Sequence, residues 1–279
     1  MALIGAAAGV VLLVLTWYVS HYVGVAKRAD LSVLRGFADL TRPSLDRVTT
    51  FVADLCNPDR YVFLAALPVL VALLRRRPRV AVMLGLVLLC ANETTQLLKP
   101  LLAGPRDSFP WGPITDASWP SGHATAAMSL ALCAVIAAPA RRRPAVAAAM
   151  AAFAVAVSYS FLELGWHYPS DVLGGFLVAG TWTLLGVAGF SILEQRRRGF
   201  AAETTRTRRA SFSVAEALTP VLIVLGVGAA LFGLILLAHP HPVIAYAREH
   251  QAFVVGASSI GILGVVLASG LTLMLRRGG

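Results

Sequence analysis

Eight long apolar runs dominate this sequence and restrict the fold more than any other feature. They cover about residues 2–26, 61–74, 80–98, 121–139, 144–162, 171–193, 217–238 and 253–275. A helix needs about 20 apolar residues to cross a bilayer, and most of the runs have that length. The composition agrees, because 57% of the residues are hydrophobic, 14% are charged and the mean hydropathy is +0.74. We therefore predict an all-α protein, a polytopic membrane helical bundle without a separate soluble domain.

Residues 27–60 form a long polar connection between the first and second apolar runs. The second run is short for a span, so we expect its helix either to begin earlier, within residues 45–57, or to tilt less than its neighbours. Leu31, Leu34, Ala38 and Leu45 follow near-helical spacing, which is typical of an interfacial helix. A solvated loop explains the same residues equally well, and the sequence leaves both alternatives open.

The distribution of positive charge predicts the orientation of the helices. The chain has 24 Lys and Arg against 14 Asp and Glu, a formal net charge of +10. Fifteen of the 24 lie in the connections after even-numbered runs and at the C-terminus. Because positive residues stay on the cytoplasmic side, both termini are expected in the cytoplasm. The basic excess thus indicates membrane topology and no nucleic acid partner. Arginine-rich, lysine-poor usage suggests a bacterial plasma (inner) membrane protein.

The arginine-rich segment between the sixth and seventh runs suggests a division of the chain. We expect a six-helix membrane core at residues 1–195, a basic cytoplasmic linker at 196–216 and a two-helix C-terminal membrane extension at 217–279. The three cysteines have no paired spacing, so neither a zinc site nor a disulfide framework is predicted. Homo-oligomerisation is left open.

Three polar clusters interrupt the apolar pattern, at residues 99–107, 119–123 and 164–171. The first ends the third helix, the second begins the fourth, and the third joins the fifth to the sixth. The charge distribution places all three on the extracytoplasmic side, so we expect them in one layer.

The first two clusters have the chemistry of a phosphate site. Ser121 and Gly122 lie at a helix start, where backbone N–H groups and the helix dipole favour an anion. Lys99 and Arg106 offer positive charge, and the planar guanidinium suits two phosphate oxygens. A lysine at this depth is also typical of a snorkelling anchor.

Two histidines supply candidate reactive groups. His167 and Asp171 are four residues apart at a loop-to-helix junction, where Ser170 is expected as the N-cap. A carboxylate bound to one imidazole nitrogen fixes the tautomer and leaves the other nitrogen free to attack. His123, just after the Ser-Gly pair, suits a general acid for the leaving oxygen.

These residues resemble the phosphatidic acid phosphatase type 2 superfamily, which also contains vanadium haloperoxidases. That family's motifs are Lys, six residues, Arg-Pro; Pro-Ser-Gly-His; and Ser-Arg, five residues, His, three residues, Asp. The chain matches their order and spacing within residues 45–193. The resemblance implies a phosphohistidine at His167, an orienting Asp171 and an acid at His123, without a metal or cofactor. It assigns the phosphate oxygens to four residues: Lys99, Arg106, Ser121 and Gly122.

Two positions depart from the family's pattern. Asp107 replaces the proline of the first motif, and Phe161 replaces the arginine of the third, which is expected to contact the phosphate. Without this charge-assisted donor, we expect the transition state to be stabilised by a few kcal/mol less. The accessory candidates are Ser160, Glu163 and Arg248. As a substitute cation we expect Arg248 or an arginine of the 27–60 connection, whose members are Arg42, Arg47 and Arg60.

The sequence therefore predicts a metal-independent membrane lipid phosphatase with an extracytoplasmic active site. Its expected substrate is a lipid phosphomonoester or diphosphate, such as a polyprenyl diphosphate or a phospholipid. The alternative is a non-hydrolytic protein that binds or transports lipid phosphates, its site impaired by Phe161. Phosphotransfer to an alcohol acceptor uses the same residues and also stays open.

Overall fold

The computed structural model of this chain describes residues 1–41, 43–44, 46–106, 114–200 and 240–277. These residues form ten helices and no strand, which confirms the all-α prediction. The helices are α1 (Ala2–Tyr22), α2 (Gly24–Ala38), α3 (Asp46–Asp54), α4 (Pro58–Leu74), α5 (Pro78–Leu101), α6 (Gly122–Ala137), α7 (Arg143–Glu163), α8 (Pro169–Phe200), α9 (Pro240–Glu249) and α10 (Gln251–Arg277).

Five of these helices, α1, α5, α7, α8 and α10, are long and apolar enough to cross a membrane. Helices α3 and α4 together pass the same test but are bent by 59° at the break between them. The second span thus begins earlier than its apolar run, as expected, although as two helix segments. Of the two alternatives for residues 27–60, the helical one is correct, because α2 and α3 occupy most of the connection. The predicted helix at 217–238 lies outside the described residues.

Helix α6 lies at the centre of the bundle, in contact with α4, α5, α7, α8 and α10. Thirteen of its 16 residues are buried, and many of them are alanines, which allow neighbouring helices to approach closely. At Gly175 of α8, a Cβ would lie 2.7 Å from the Ser121 carbonyl oxygen and 2.9 Å from the Thr125 nitrogen. Glycine at this position lets α8 pack directly on the first turn of α6.

Helix α10 packs on the core of the bundle. The Tyr159 hydroxyl on α7 donates to the Ala257 carbonyl at 2.6 Å, and Gly256 faces Val33 of α2. Small residues on α10 therefore serve contacts within the chain. Helix α8 continues to Phe200, so it extends into the predicted 196–216 linker. The proposed division into core, linker and extension stays a prediction.

The contact at Gly175 gives a test of the fold. We expect Gly175→Ala to lower the free energy of unfolding by about 1–3 kcal/mol, because the added methyl group meets backbone atoms that cannot move independently. The matched control is Gly189→Ala in the same helix, where a Cβ would meet no atom within 4 Å. Thermal unfolding in detergent measures both variants. Equal melting temperatures for the two would contradict this packing.

Candidate active site

The three polar clusters predicted to share one layer converge in the structure. The first begins in the last turn of α5, the second ends in the first turn of α6, and the third connects α7 to α8. Two hydrogen bonds tie them together. Asp171 binds Arg106 through its side chain, and its carbonyl oxygen accepts from the Ser121 nitrogen at 2.9 Å. The clusters therefore form one site.

Asp171 is fully buried and binds three groups through its carboxylate. One oxygen pairs with Arg106, and the other lies 3.3 Å from Nδ1 of His167. That second oxygen also accepts from the Tyr168 backbone nitrogen at 2.9 Å. A carboxylate accepts hydrogen bonds, so His167 carries its proton on Nδ1 and presents Nε2 as the unprotonated nitrogen. This is the arrangement that a nucleophilic histidine requires.

Arg106 is held by two carboxylates. In addition to Asp171, its guanidinium pairs with Asp30 of α2 at 2.5 Å and donates to the Ser170 hydroxyl at 2.6 Å. It also stacks over the Tyr168 ring, 4.1 Å from the ring centroid. Ser170 was expected to cap α8, but α8 begins at Pro169, and the Ser170 hydroxyl instead donates to Asp30. In the structure, the Arg106 guanidinium thus binds side chains of the protein itself, namely Asp30, Ser170 and Asp171.

Burial dominates the electrostatics of this group. Desolvation raises the pKa of Asp30 to about 6, and the opposing attraction of Arg106 does not cancel it. For Arg106, burial alone would lower the pKa, but Asp171 and Asp30 together raise it above its usual value. Two carboxylates therefore share one permanent cation, and Asp30 is the one that takes up a proton more readily.

The first turn of α6 forms the opposite wall of the site. Ser121 is the N-cap, buried, and its hydroxyl accepts from the Ala124 nitrogen at 3.3 Å. The Ala124 N–H is engaged by this cap, and the N–H groups of Gly122 and His123, which have no carbonyl partner within the helix, can bind an anion. Gln96 Nε2 and Lys99 Nζ lie 3.4 and 3.7 Å from where a Cβ on Gly122 would be. The expected grouping of Lys99 with the Ser-Gly turn is therefore present.

His123 lies in this first turn of α6 and is close to His167, with 6.1 Å between the ring centroids. Its Nε2 lies 2.8 Å from Oδ1 of Asn57, the residue that precedes α4. The two imidazoles thus belong to one site, and each has its own polar partner, Asn57 for His123 and Asp171 for His167. A phosphorus atom between them would have a nucleophile and a proton donor within reach.

Phe161 lies beside both histidines. Its fully buried ring lies 5.7 Å from His123 and 5.3 Å from His167, centroid to centroid. Helix α7 ends in a Schellman motif, in which the nitrogens of Trp166 and Gly165 donate to the carbonyls of Phe161 and Leu162. Gly165 has φ of 68°, a conformation that favours glycine. After this turn, the Trp166 ring lies 5.7 Å from His123, centroid to centroid.

The accessory candidates make their described contacts outside the pair of histidines. Ser160 donates to the Ala156 carbonyl of its own helix, and Glu163 accepts from Thr49 at 3.4 Å. Arg248 is exposed on α9, whose neighbouring Tyr246 and His250 bind the C-terminal end of α2. No described contact joins Arg248 to either histidine.

The other candidate substitute cations differ in their surroundings. Arg47 is exposed on α3, and Arg42 lies outside the described residues, as does Asp107. Arg60 pairs with Asp54 at 3.5 Å, and Asp54 in turn binds Asn57, the partner of His123. Among the described candidates, only Arg60 is linked to a histidine by such contacts.

Sequence reasoning missed two polar residues of the site, Asp30 and Asn57. For Asp30 a signal existed: the buried face of α2 carries Asp30, Val33, Leu34 and Phe37, so an acid lies on an apolar helix face. Such an acid needs a buried partner. Asn57 gave no comparable signal, because an asparagine before a proline at a helix start is typical of an ordinary cap.

The comparisons with known proteins agree with this site. Residues 71–195, which contain all three clusters, match the model of the PAP2 superfamily. The fold is similar to the crystal structure of the first transmembrane PAP2 type phosphatidylglycerolphosphate phosphatase from Bacillus subtilis. The TM-score is 0.57 at 20% identity, over 73% of this chain and 99% of that one. No curated protein sequence matches. The resemblance inferred from the three motifs is confirmed.

The burial of Asp30 predicts a pH-dependent stability. With its pKa raised to about 6, Asp30 imposes no penalty below its unfolded pKa of about 4, and the folded state loses stability as the pH rises through 6. We expect this loss, on the order of 3 kcal/mol, to be absent in Asp30→Asn. Melting temperatures measured from pH 4 to pH 8 compare the variant with the wild type.

The control for that measurement is Asp116→Asn, which removes an exposed carboxylate. Its melting temperature is expected to follow the wild-type pH dependence. A difference between wild type and Asp30→Asn that stays constant over the whole pH range would contradict the assignment of this titration to Asp30.

Proposed function

We propose that this chain is a membrane lipid phosphatase that removes a phosphate group from a lipid through a phosphohistidine at His167. One observation carries the proposal: the ring centroids of His123 and His167 lie 6.1 Å apart at the first turn of α6, and His167 binds the buried Asp171 carboxylate. The match of residues 71–195 to the PAP2 superfamily supports it independently.

In the first step, Nε2 of His167 attacks the phosphorus atom of the substrate. The P–N bond forms as the bond from phosphorus to the leaving oxygen breaks, and His123 gives that oxygen a proton. Asp171 keeps the Nδ1 proton of His167 in place and stabilises the positive charge that develops on the ring. The dephosphorylated lipid then leaves with its new hydroxyl group, or as the monophosphate when the substrate is a diphosphate.

In the second step, water attacks the phosphohistidine. His123, now unprotonated, accepts a proton from the water, and the P–N bond breaks to release inorganic phosphate and His167. Lys99 and the N–H groups at the start of α6 bind the equatorial oxygens in both steps, in the manner of an oxyanion hole. None of these steps requires a metal ion.

The membrane setting favours a substrate with an apolar tail. The site lies at the ends of α5 and α7 and the starts of α6 and α8, and the charge distribution supports an extracytoplasmic position for that layer. A headgroup in the outer leaflet reaches this level while its tail stays in the bilayer. Polyprenyl diphosphates and phospholipid monoesters both meet this requirement.

One observation favours the alternative of a non-hydrolytic lipid-phosphate binder. The residue that replaces the arginine of the third motif, Phe161, is fully buried against both histidines and supplies no charge to a phosphate. Enzymatic turnover then depends on the remaining donors. Measurement of phosphate release separates the two functions.

A panel of lipid phosphates tests the proposal. Purified protein in detergent micelles, given farnesyl diphosphate, dioctanoyl phosphatidic acid or dioctanoyl phosphatidylglycerol phosphate, is expected to release inorganic phosphate from at least one. His167→Ala and His123→Ala should each lower that rate by about 10³-fold or more, since each removes a group that acts in the transition state. Lys99→Ala should lower it by about 10²-fold.

His250→Ala is the matched control, because His250 binds Asp39 at the C-terminal end of α2 and touches neither histidine of the site in the described structure. Its rate should equal that of the wild type. If the wild type binds these lipids but releases no phosphate from any of them, the protein is a binder and the proposed enzymatic activity is wrong.

A further inference from the structure

We propose that Asn57 is a positioning residue that holds His123 as the Nε2–H tautomer and directs its Nδ1 towards the substrate. The inference rests on the proposed function and adds to it the group that orients the general acid. It starts from a short contact, 2.8 Å between His123 Nε2 and Asn57 Oδ1.

The direction of this hydrogen bond follows from the other end of the Asn57 amide. Its Nδ2 lies 3.0 Å from Oδ1 of Asp54, and the Asp54 carboxylate also pairs with Arg60. An ionised carboxylate only accepts hydrogen bonds, so the amide NH₂ group faces Asp54 and the amide oxygen faces His123. That oxygen also only accepts, and His123 Nε2 therefore carries a proton.

The helix that Asn57 begins supports a role for this side chain beyond capping. Asn57 is the N-cap of α4, where an asparagine oxygen usually accepts from an N–H of the first turn. Here the side chain makes no such hydrogen bond. Its oxygen instead accepts a hydrogen bond from His123, so the helix lacks a capping interaction worth about 1 kcal/mol. An asparagine that served only the helix would not be placed this way.

The consequence concerns how His123 donates its proton. With Nε2–H bound by the amide, Nδ1 is the nitrogen that exchanges a proton with the leaving oxygen and with water. Among the described residues, the charged and titratable groups that act on this ring are His167 from the α7–α8 connection and Lys99 from α5. Asp54 on α3 and Arg60 on α4 act through Asn57. The direct partner of His123 is the neutral Asn57 amide, which stabilises the protonated form of the ring less strongly than a carboxylate would.

Two substitutions of Asn57 separate positioning from helix capping. Asn57→Ser keeps a good N-cap but is too short to bind His123, and Asn57→Asp keeps the reach and adds a charge. We expect the titration midpoint of His123 to fall in Asn57→Ser and to rise in Asn57→Asp, each by about one pH unit. Nitrogen-15 NMR of histidine-labelled protein in detergent measures it, with the signal assigned by its loss in His123→Gln.

Asn92→Ala provides the control, because Asn92 is the other asparagine of the chain and its amide donates to Tyr61 on α4. His123 should titrate there as in the wild type. The wild-type spectrum is expected to show the Nε2–H tautomer. An Nδ1–H tautomer, or the same midpoint in both Asn57 variants as in the wild type, would overturn the inference.

Kinetics give the second readout, with the substrate of the panel that the wild type hydrolyses fastest. The rate should fall about tenfold in Asn57→Ser with KM little changed, since the loss affects proton transfer. The alkaline limb of its pH profile should move to lower pH, because less of the ring is then protonated at a given pH. The NMR result does not depend on turnover, so a failure of the inference is distinguishable from a failure of the proposed function.

Discussion

The structure depends on the buried carboxylate of Asp171. An ionised group without partners would cost several kcal/mol in this interior, so the chain must bring cationic and N–H groups to it. Arg106 comes from the connection after α5, and His167 and the Tyr168 nitrogen come from the turn before α8. The Asp171 carbonyl holds the first turn of α6 through Ser121. One residue thereby fixes the relative positions of all three clusters.

Arg106 illustrates how such a requirement changes the role of a motif residue. The resemblance assigns it to the phosphate, but its guanidinium lies between two carboxylates and against the Tyr168 ring. Arginine suits this position because its planar group binds several acceptors at once and stays charged. Under the proposed function, Lys99 and the start of α6 then carry more of the phosphate binding.

Phe161, which stands in place of the third motif's arginine, changes the surroundings of His123. Its ring and that of Trp166 each contact His123 and exclude water from that side of the imidazole. Under the proposed function, a drier site strengthens each remaining hydrogen bond to the phosphate, because the local dielectric is lower. The same burial makes any added charge at this position costly.

The sequence determined the helical membrane class, the position of most spans and the three clusters, since these follow from hydropathy and from local motif spacing. It also indicated His123, His167, Asp171 and Lys99, whose residue types and local neighbours suit the proposed chemistry on their own. Only the tertiary structure decided the partners. Asp30 and Asn57 lie 76 and 66 residues from Arg106 and His123, and their contacts depend on how α2 and α4 pack on the core. No local pattern encodes such packing, because it is the burial of each polar group that selects its partner from distant parts of the chain.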